Sequence, residues 1–320
     1  MRFWVYIAVL SLIATQALTS PSLWDNVWTT DFEKTSVDFD EIMSGGPGKD
    51  GIPAIDNPSF NGIVAEGRLD DQEPVMTVEI NGETKAYPIR YLMWHEIVND
   101  TVGGTPVSVT FCPLCNSGII FDRRVNGREI TLGVSGMLRN SDMIMYDRQT
   151  ETWWQQFTGE AIVGELLGSE LTKLPGWMES WASFKARNPD GLVMDEPNFR
   201  RRYGVNPYRG YDSLDRPFLF NGELPPNGIE PLLRVVVVDD RAWPLTRFSY
   251  ENPVITEAGI EISWEAGKAS ALDTARISDG RDVGQIRVRD AATGADLPHD
   301  VAFAFAFYAF HPDGTWMLGN

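Results

Sequence analysis

Histidine and cysteine are scarce in this chain of 320 residues, with three of the first (His95, His299 and His311) and two of the second (Cys112 and Cys115). Any metal or nucleophile chemistry that uses them therefore has few combinations to draw on. Positive charge is also short. Lys and Arg total 27 against 45 Asp and Glu, for a net charge of -18, and such a surface repels phosphate backbones and anionic membranes. Nucleic acid is thus excluded as a natural partner, and no protein partner can be read from the chain. No phosphate loop, dinucleotide fingerprint or HExxH helix is present. The apolar run Phe3 to Ala14 after Arg2 is short for a membrane span and has the layout of a secretory signal, with cleavage expected near Ala17 to Ser20. This predicts export to the periplasm or the medium, or membrane anchorage if the segment is retained, with no span beyond it.

What is present is a well-mixed composition, 43% hydrophobic, able to bury one large core or two smaller ones. Residues 1–20 read as the signal, and 21–67 as a Gly- and Pro-broken arm. In 68–193, a core begins with a β-hairpin turning at Asn81-Gly82 and a helix carrying Ile89, Leu92, Met93 and Ile97 at helical spacing until Asn99-Asp100. His95 lies off that apolar stripe. Val107, Val109 and Phe111 alternate as a strand that ends where Cys112 begins. Turns at Asn126-Gly127 and at residues 148–151 predict two further hairpins, with an irregular polar loop over 136–142 between them. Ser180 is placed to cap a short helix through Trp181 and Phe184. A connector, 194–231, holds Arg200, Arg201 and Arg202, which read as salt-bridged surface residues rather than an anion site. In 232–320, Val235 to Leu245 echoes Val78 to Ile89 (strand, turn, then aromatic-Pro-aliphatic), suggesting a degenerate repeat of the core. The fold class expected is mainly β with a few short helices, a β-rich α+β chain of antiparallel hairpins in two related sheet units, sandwich or barrel-like.

The stretch Trp94-His95-Glu96-Ile97-Val98-Asn99-Asp100, then Phe111 to Cys115, Gly133-Val134-Ser135-Gly136, Asn140-Ser141-Asp142, Tyr146-Asp147, Trp154, Gly159-Glu160-Ala161-Ile162, Leu174-Pro175 and Ala309-Phe310-His311-Pro312 resembles the DUF3179 family of exported proteins. The resemblance implies a domain identity over most of the chain and no particular activity.

Chemistry therefore rests on the residues themselves. A Cys-x-x-Cys pair suits a soft metal ion or a reversible disulfide, because the short spacing lets both sulfurs meet one partner. The first expectation is a copper or zinc site made by Cys112, Cys115, His95 and His311, with Arg139, Asn140, Ser141 and Asp142 as a binding loop and Met137, Met143 or Met145 as thioether donors for Cu(I). The alternative is a thiol-disulfide oxidoreductase in which Cys112 attacks, Cys115 resolves and His95 serves as base. A hydrolase using a cysteine, His95 and Asp142 is a third option, and a structural disulfide in a binding protein a fourth. Whether the chain is an enzyme at all stays open at this level.

Overall fold

Tight turns decide where the strands run, and the clearest case joins Pro74–Ile80 to Glu83–Pro88. Asn81 and Gly82 have φ of 51° and 81°, the left-handed pair whose twist matches that of the flanking strands. The computed structural model describes Trp24 and residues 26–319, so the expected signal segment, 1–20, lies outside the described residues. Within them the chain is mainly β, with three short α-helices: α1 (Ile89–His95), α2 (Trp181–Arg187) and α3 (Ala304–Phe310). The expected fold class is what the structure shows.

Two of the sheets share one plan. In the first, the hairpin Pro74–Ile80 with Glu83–Pro88 has Trp177–Ser180 antiparallel on one side and Leu192–Met194 parallel on the other, α2 crossing between them. In the second, the hairpin Arg234–Val238 with Arg241–Pro244 is bracketed in the same way by Asp300–Phe303 and Thr315–Trp316, with α3 crossing. The helices also end alike. Asn188 (φ -126°, ψ 68°) and His311 (φ -131°, ψ 66°) cap them, and each is followed by Pro-Asp-Gly, the proline being unable to continue a helix. Gly191 and Gly314 then donate to the cap carbonyls, both at 2.9 Å.

Between the first hairpin and Trp177–Ser180 the chain builds two five-stranded sheets. One has the order Lys173–Leu174, Ser117–Asp122, Thr105–Cys112, Ile97–Val102, Ile55–Asp56. The other runs Ile42–Ser44, Leu132–Arg139, Asp142–Asp147, Trp153–Gln155, Ala161–Val163. The strands Ile42–Ser44 and Ile55–Asp56 thus take edge positions in sheets made by later residues.

Three local expectations need correction. The helix stops at His95, because Glu96 adopts φ 60° and Ile97 already begins a strand. The turn at Asn126-Gly127 closes only a two-residue ladder, Arg124–Val125 with Arg128–Glu129, since Ser117–Asp122 pairs with Thr105–Cys112 and Leu132–Arg139 pairs with Asp142–Asp147. The segment 136–142 is no loose loop either. It is the end of a bulged strand and a two-residue turn, with Asn140 and Ser141 both left-handed at φ 51° and 63°. The capping expectation holds: the Ser180 hydroxyl accepts from Ser183 N–H at 3.2 Å.

The largest buried cluster is continuous across both units. It runs from Met76, Phe111 and Cys115 to Val235, Phe303 and Phe305, so the cysteine hairpin sits where the two units meet.

Candidate functional site

The cysteines lie at a hairpin tip that is pinned from several sides. Cys112 and Ser117 form the last register pair of their strands, and Pro113 to Asn116 make the turn, with Asn116 left-handed at φ 54°. The turn's carbonyls are occupied: Cys115 O accepts from Phe303 N–H at 2.9 Å and Leu114 O from the Tyr211 hydroxyl at 2.9 Å. Asn116 Nδ2 donates to Val301 O at 2.6 Å. The hairpin is therefore clamped by the connector and by the C-terminal unit.

Opposite this tip stands the tight turn of the other five-stranded sheet. The left-handed backbone of Ser141 brings its carbonyl 3.5 Å from Cys115 Sγ and 3.9 Å from Cys112 Sγ, and its hydroxyl is held by Phe218 O at 2.6 Å. Asp142 follows. Its Oδ2 accepts from Gln155 Nε2 at 2.7 Å and from Phe157 N–H at 2.9 Å, while Oδ1 is buried with no partner. One ligand atom each from Cys112, Cys115 and Asp142 lies within 4.8 Å of the others, and all three residues are buried. Both cysteines are free thiols.

A cavity of about 300 Å³ opens beside this group, lined by Cys112, Glu96, Met137, Met143, Tyr208 and Phe218 among others. Gly136, at φ 79°, makes its wall possible, because a Cβ there would fall 2.1 Å from Pro47 O. Glu96, whose own positive φ ends α1, lines the same cavity.

The electrostatics point one way. Burial pushes the Asp142 carboxyl up to about 7 and, with the Asp142 charge nearby, the Glu96 carboxyl up to about 8. Burial likewise raises both thiols, with Asp142 and the neighbouring acid groups adding to the effect. Two thiols and two carboxyls thus share a dry space in which burial outweighs the pull of the Lys173 ammonium on Asp142.

The histidines are elsewhere, which corrects the expected ligand set. His95 is fully buried, not merely off the apolar stripe; its Nδ1–H donates to Pro53 O at 2.7 Å and its Nε2 accepts from the Tyr203 hydroxyl at 2.7 Å. With both ring nitrogens engaged it serves neither as a metal ligand nor as the base of a Cys–His–Asp triad. His311, the cap of α3, packs against Phe307 and Phe157 and faces a different cavity. Of the expected binding loop, Asp142 joins the cysteines and Ser141 contributes its carbonyl. Asn140 forms the turn, and Arg139 pairs with Glu41 at 2.6 Å. Met137 and Met143 line the cavity, and Met145 is core. Arg200, Arg201 and Arg202 are exposed and form no ion pair among the described residues, against the salt-bridged reading. Two participants went unread in the sequence: Glu96, beside the more conspicuous His95, and Gln155. The signal for the latter was present, since Gln155-Gln156 is a polar pair inside the aromatic run Trp153 to Phe157.

The fold and site together define a mainly β protein with a buried dithiol-carboxylate centre. The chain belongs to the DUF3179 family, described as a protein of unknown function, whose family model matches residues 49–314. No curated protein and no solved structure matches it.

Proposed function

We propose that this protein binds a thiophilic metal ion, copper or zinc, through Cys112, Cys115 and Asp142. The observation that carries this reading is the convergence of two sulfurs and a carboxylate oxygen within 4.8 Å in a buried place. A cation supplies the charge the cluster lacks, and it reverses the pressure that keeps thiols and carboxyls protonated. Two sulfurs and an oxygen are a donor set that zinc accepts; Met137 and Met143 in the adjoining cavity would favour Cu(I). The Ser141 carbonyl, 3.5 Å from Cys115 Sγ, and Glu96 on the wall of the adjoining cavity are further oxygen donors. Export belongs to the same proposal: Arg2 and the apolar run after it support delivery outside the cytoplasm, which cell fractionation tests.

A second reading is favoured by one asymmetry. Cys112 lines the cavity and Cys115 does not, the arrangement of an attacking and a resolving thiol. In that reading Cys112 attacks a substrate disulfide and Cys115 displaces the mixed disulfide. The substrate leaves as a dithiol while the Cys112–Cys115 pair is oxidised, with Asp142 rather than His95 taking the thiol proton.

Elemental analysis of the full chain, purified without chelator or affinity metal, with a thiol count under denaturation, separates the two. Near-stoichiometric copper or zinc that disappears in Cys112→Ser supports the metal centre. Metal-free protein whose cysteines exchange readily with small disulfides sinks it in favour of thiol chemistry.

A further inference from the structure

A second and larger cavity, of about 680 Å³, lies between the strand Ser117–Asp122, residues 157–176 and the edge of the C-terminal four-stranded sheet. It shares no lining residue with the cavity at the cysteines. Its walls hold opposite charges that attract one another across the cavity without forming a direct ion pair. Lys173 Nζ donates to Phe157 O at 2.9 Å and has no carboxylate at ion-pair distance among the described residues. Asp300 is 7% exposed; its Oδ1 accepts from Gly118 N–H at 2.9 Å and from Val301 N–H at 2.7 Å, while its Oδ2 has no partner. The His311 ring makes no hydrogen bond among the described residues, and at the rim Glu160 and Glu170 are exposed and without ion pairs.

A buried acceptor and a partly buried ammonium in one cavity, each with bonding capacity to spare, call for a ligand that carries both signs. Charge decides the rest. The lining has four carboxyls, Glu160, Glu170, Asp239 and Asp300, against the single ammonium of Lys173, and burial keeps His299 and His311 neutral. An anion is repelled by the acidic rim, and a simple dication leaves Lys173 unmatched. We propose that this cavity binds a basic α-amino acid, its carboxylate at Lys173 and His311, its α-ammonium at Asp300, and its cationic side chain toward Glu160 and Glu170. This site is independent of the metal reading.

The test is calorimetric titration of the full chain with L-arginine and L-lysine, alongside decarboxylated arginine, L-citrulline and glucose. Arginine and lysine are expected to bind, and Lys173→Met to weaken arginine by roughly tenfold or more, toward the level of its decarboxylated analogue. A Glu160→Gln/Glu170→Gln variant changes only exposed side chains, so its fold is not at risk, and it is expected to erase the preference for arginine over citrulline. Cys112→Ser is expected to leave arginine binding unchanged, which separates this site from chelation at the cysteines. Absence of heat up to about 1 mM, loss of binding in Cys112→Ser, preference for glucose, or an unaltered arginine preference in the glutamine variant would each overturn the assignment.

Discussion

The two sheets built on one plan differ in what each interposes between its hairpin and its crossover. The first hairpin leads into α1, and then residues 97–174 build most of two five-stranded sheets, including the cysteine hairpin, before Trp177–Ser180 closes the plan. The second leads only to the short 3₁₀ turn Leu245–Arg247 and a three-stranded sheet spanning Val254–Glu257, Ile260–Glu265 and Gln285–Asp290 before Asp300–Phe303 does the same. Ladder hydrogen bonds and apolar packing hold the shared plan in both cases, so the plan places no demand on chemistry. The cysteines and Asp142 sit in what one copy adds, on turns fixed by a rigid scaffold. The other copy contributes support, through the bond from Phe303 N–H to Cys115 O.

The largest expected effect follows from that asymmetry. If the metal is held by the first insertion alone, Cys115→Ser removes it, together with whatever stability it lends. A ligand present at a thousand times its dissociation constant stabilises a fold by about 4 kcal/mol. Calorimetric melting with and without added zinc or copper is expected to show a rise in Tm for the native chain and none for Cys115→Ser, with a reduced rise for Asp142→Asn. A full rise in Cys115→Ser would put the metal elsewhere and break the contrast between the copies.

The second effect concerns the shared plan itself. Glu179, opposite Val75, is fully buried and accepts from Thr77 Oγ1 at 2.6 Å and Trp177 Nε1 at 2.9 Å while pairing with Arg187. At the matching register position of the other copy, opposite Val235, stands Ala302. One copy thus uses an ion pair where the other uses packing. Arg187→Ala takes the half-exposed cation from a buried carboxylate that keeps its bonds from Thr77 and Trp177, and is expected to cost about 1–2 kcal/mol by denaturant unfolding. Glu179→Ala/Arg187→Ala is expected to cost less than Arg187→Ala, and a larger loss in the double variant would show that the pair stabilises the fold in its own right.

A smaller effect belongs to the second unit. Lys268 is buried with no carboxylate at ion-pair distance among the described residues, and burial lowers its ammonium to about 7. The sign follows from linkage. Between about pH 7 and the ordinary lysine value of about 10.4, the unfolded chain binds the proton that the folded chain has released, so stability rises with pH across that window. The stabilising contribution is complete above the upper value and lost as pH falls through about 7. Lys268→Met is expected to raise stability at neutral pH by about 1 kcal/mol and to flatten the rise toward pH 10. An unchanged slope in melts across that range would show that the ammonium finds a partner in solution.

Much of the fold was legible because it is written in local rules. Asn81-Gly82 names its turn, Ser180 names its cap, and the alternation at Val107, Val109 and Phe111 names a strand. What failed was pairing at a distance. The Asn126-Gly127 turn reads as a hairpin between its neighbours, yet those neighbours are claimed by Thr105–Cys112 and Asp142–Asp147, whose apolar faces they bury. The candidate site divided along the same line. The cysteines and Asp142 carry their chemistry in their own atoms, and the fold brings them together. The histidines were assigned by scarcity, and only the folded chain shows that Pro53 and Tyr203 occupy His95 and that His311 ends a helix.

His311 offers the finest test of the comparison, because the other copy supplies the replacement. Asn188 caps α2 with nearly the same backbone angles, the same Pro-Asp-Gly sequel and the same 2.9 Å bond from the following glycine. A residue retained for capping tolerates exchange for its counterpart, whereas a metal ligand does not. His311→Asn is therefore expected to change stability by no more than about 0.5 kcal/mol and to leave metal stoichiometry unaltered. The measurement pairs denaturant unfolding with elemental analysis of the purified variant. Metal lost at unchanged stability would bring His311 into the centre, and the centre would then be shared between the two copies rather than confined to the first.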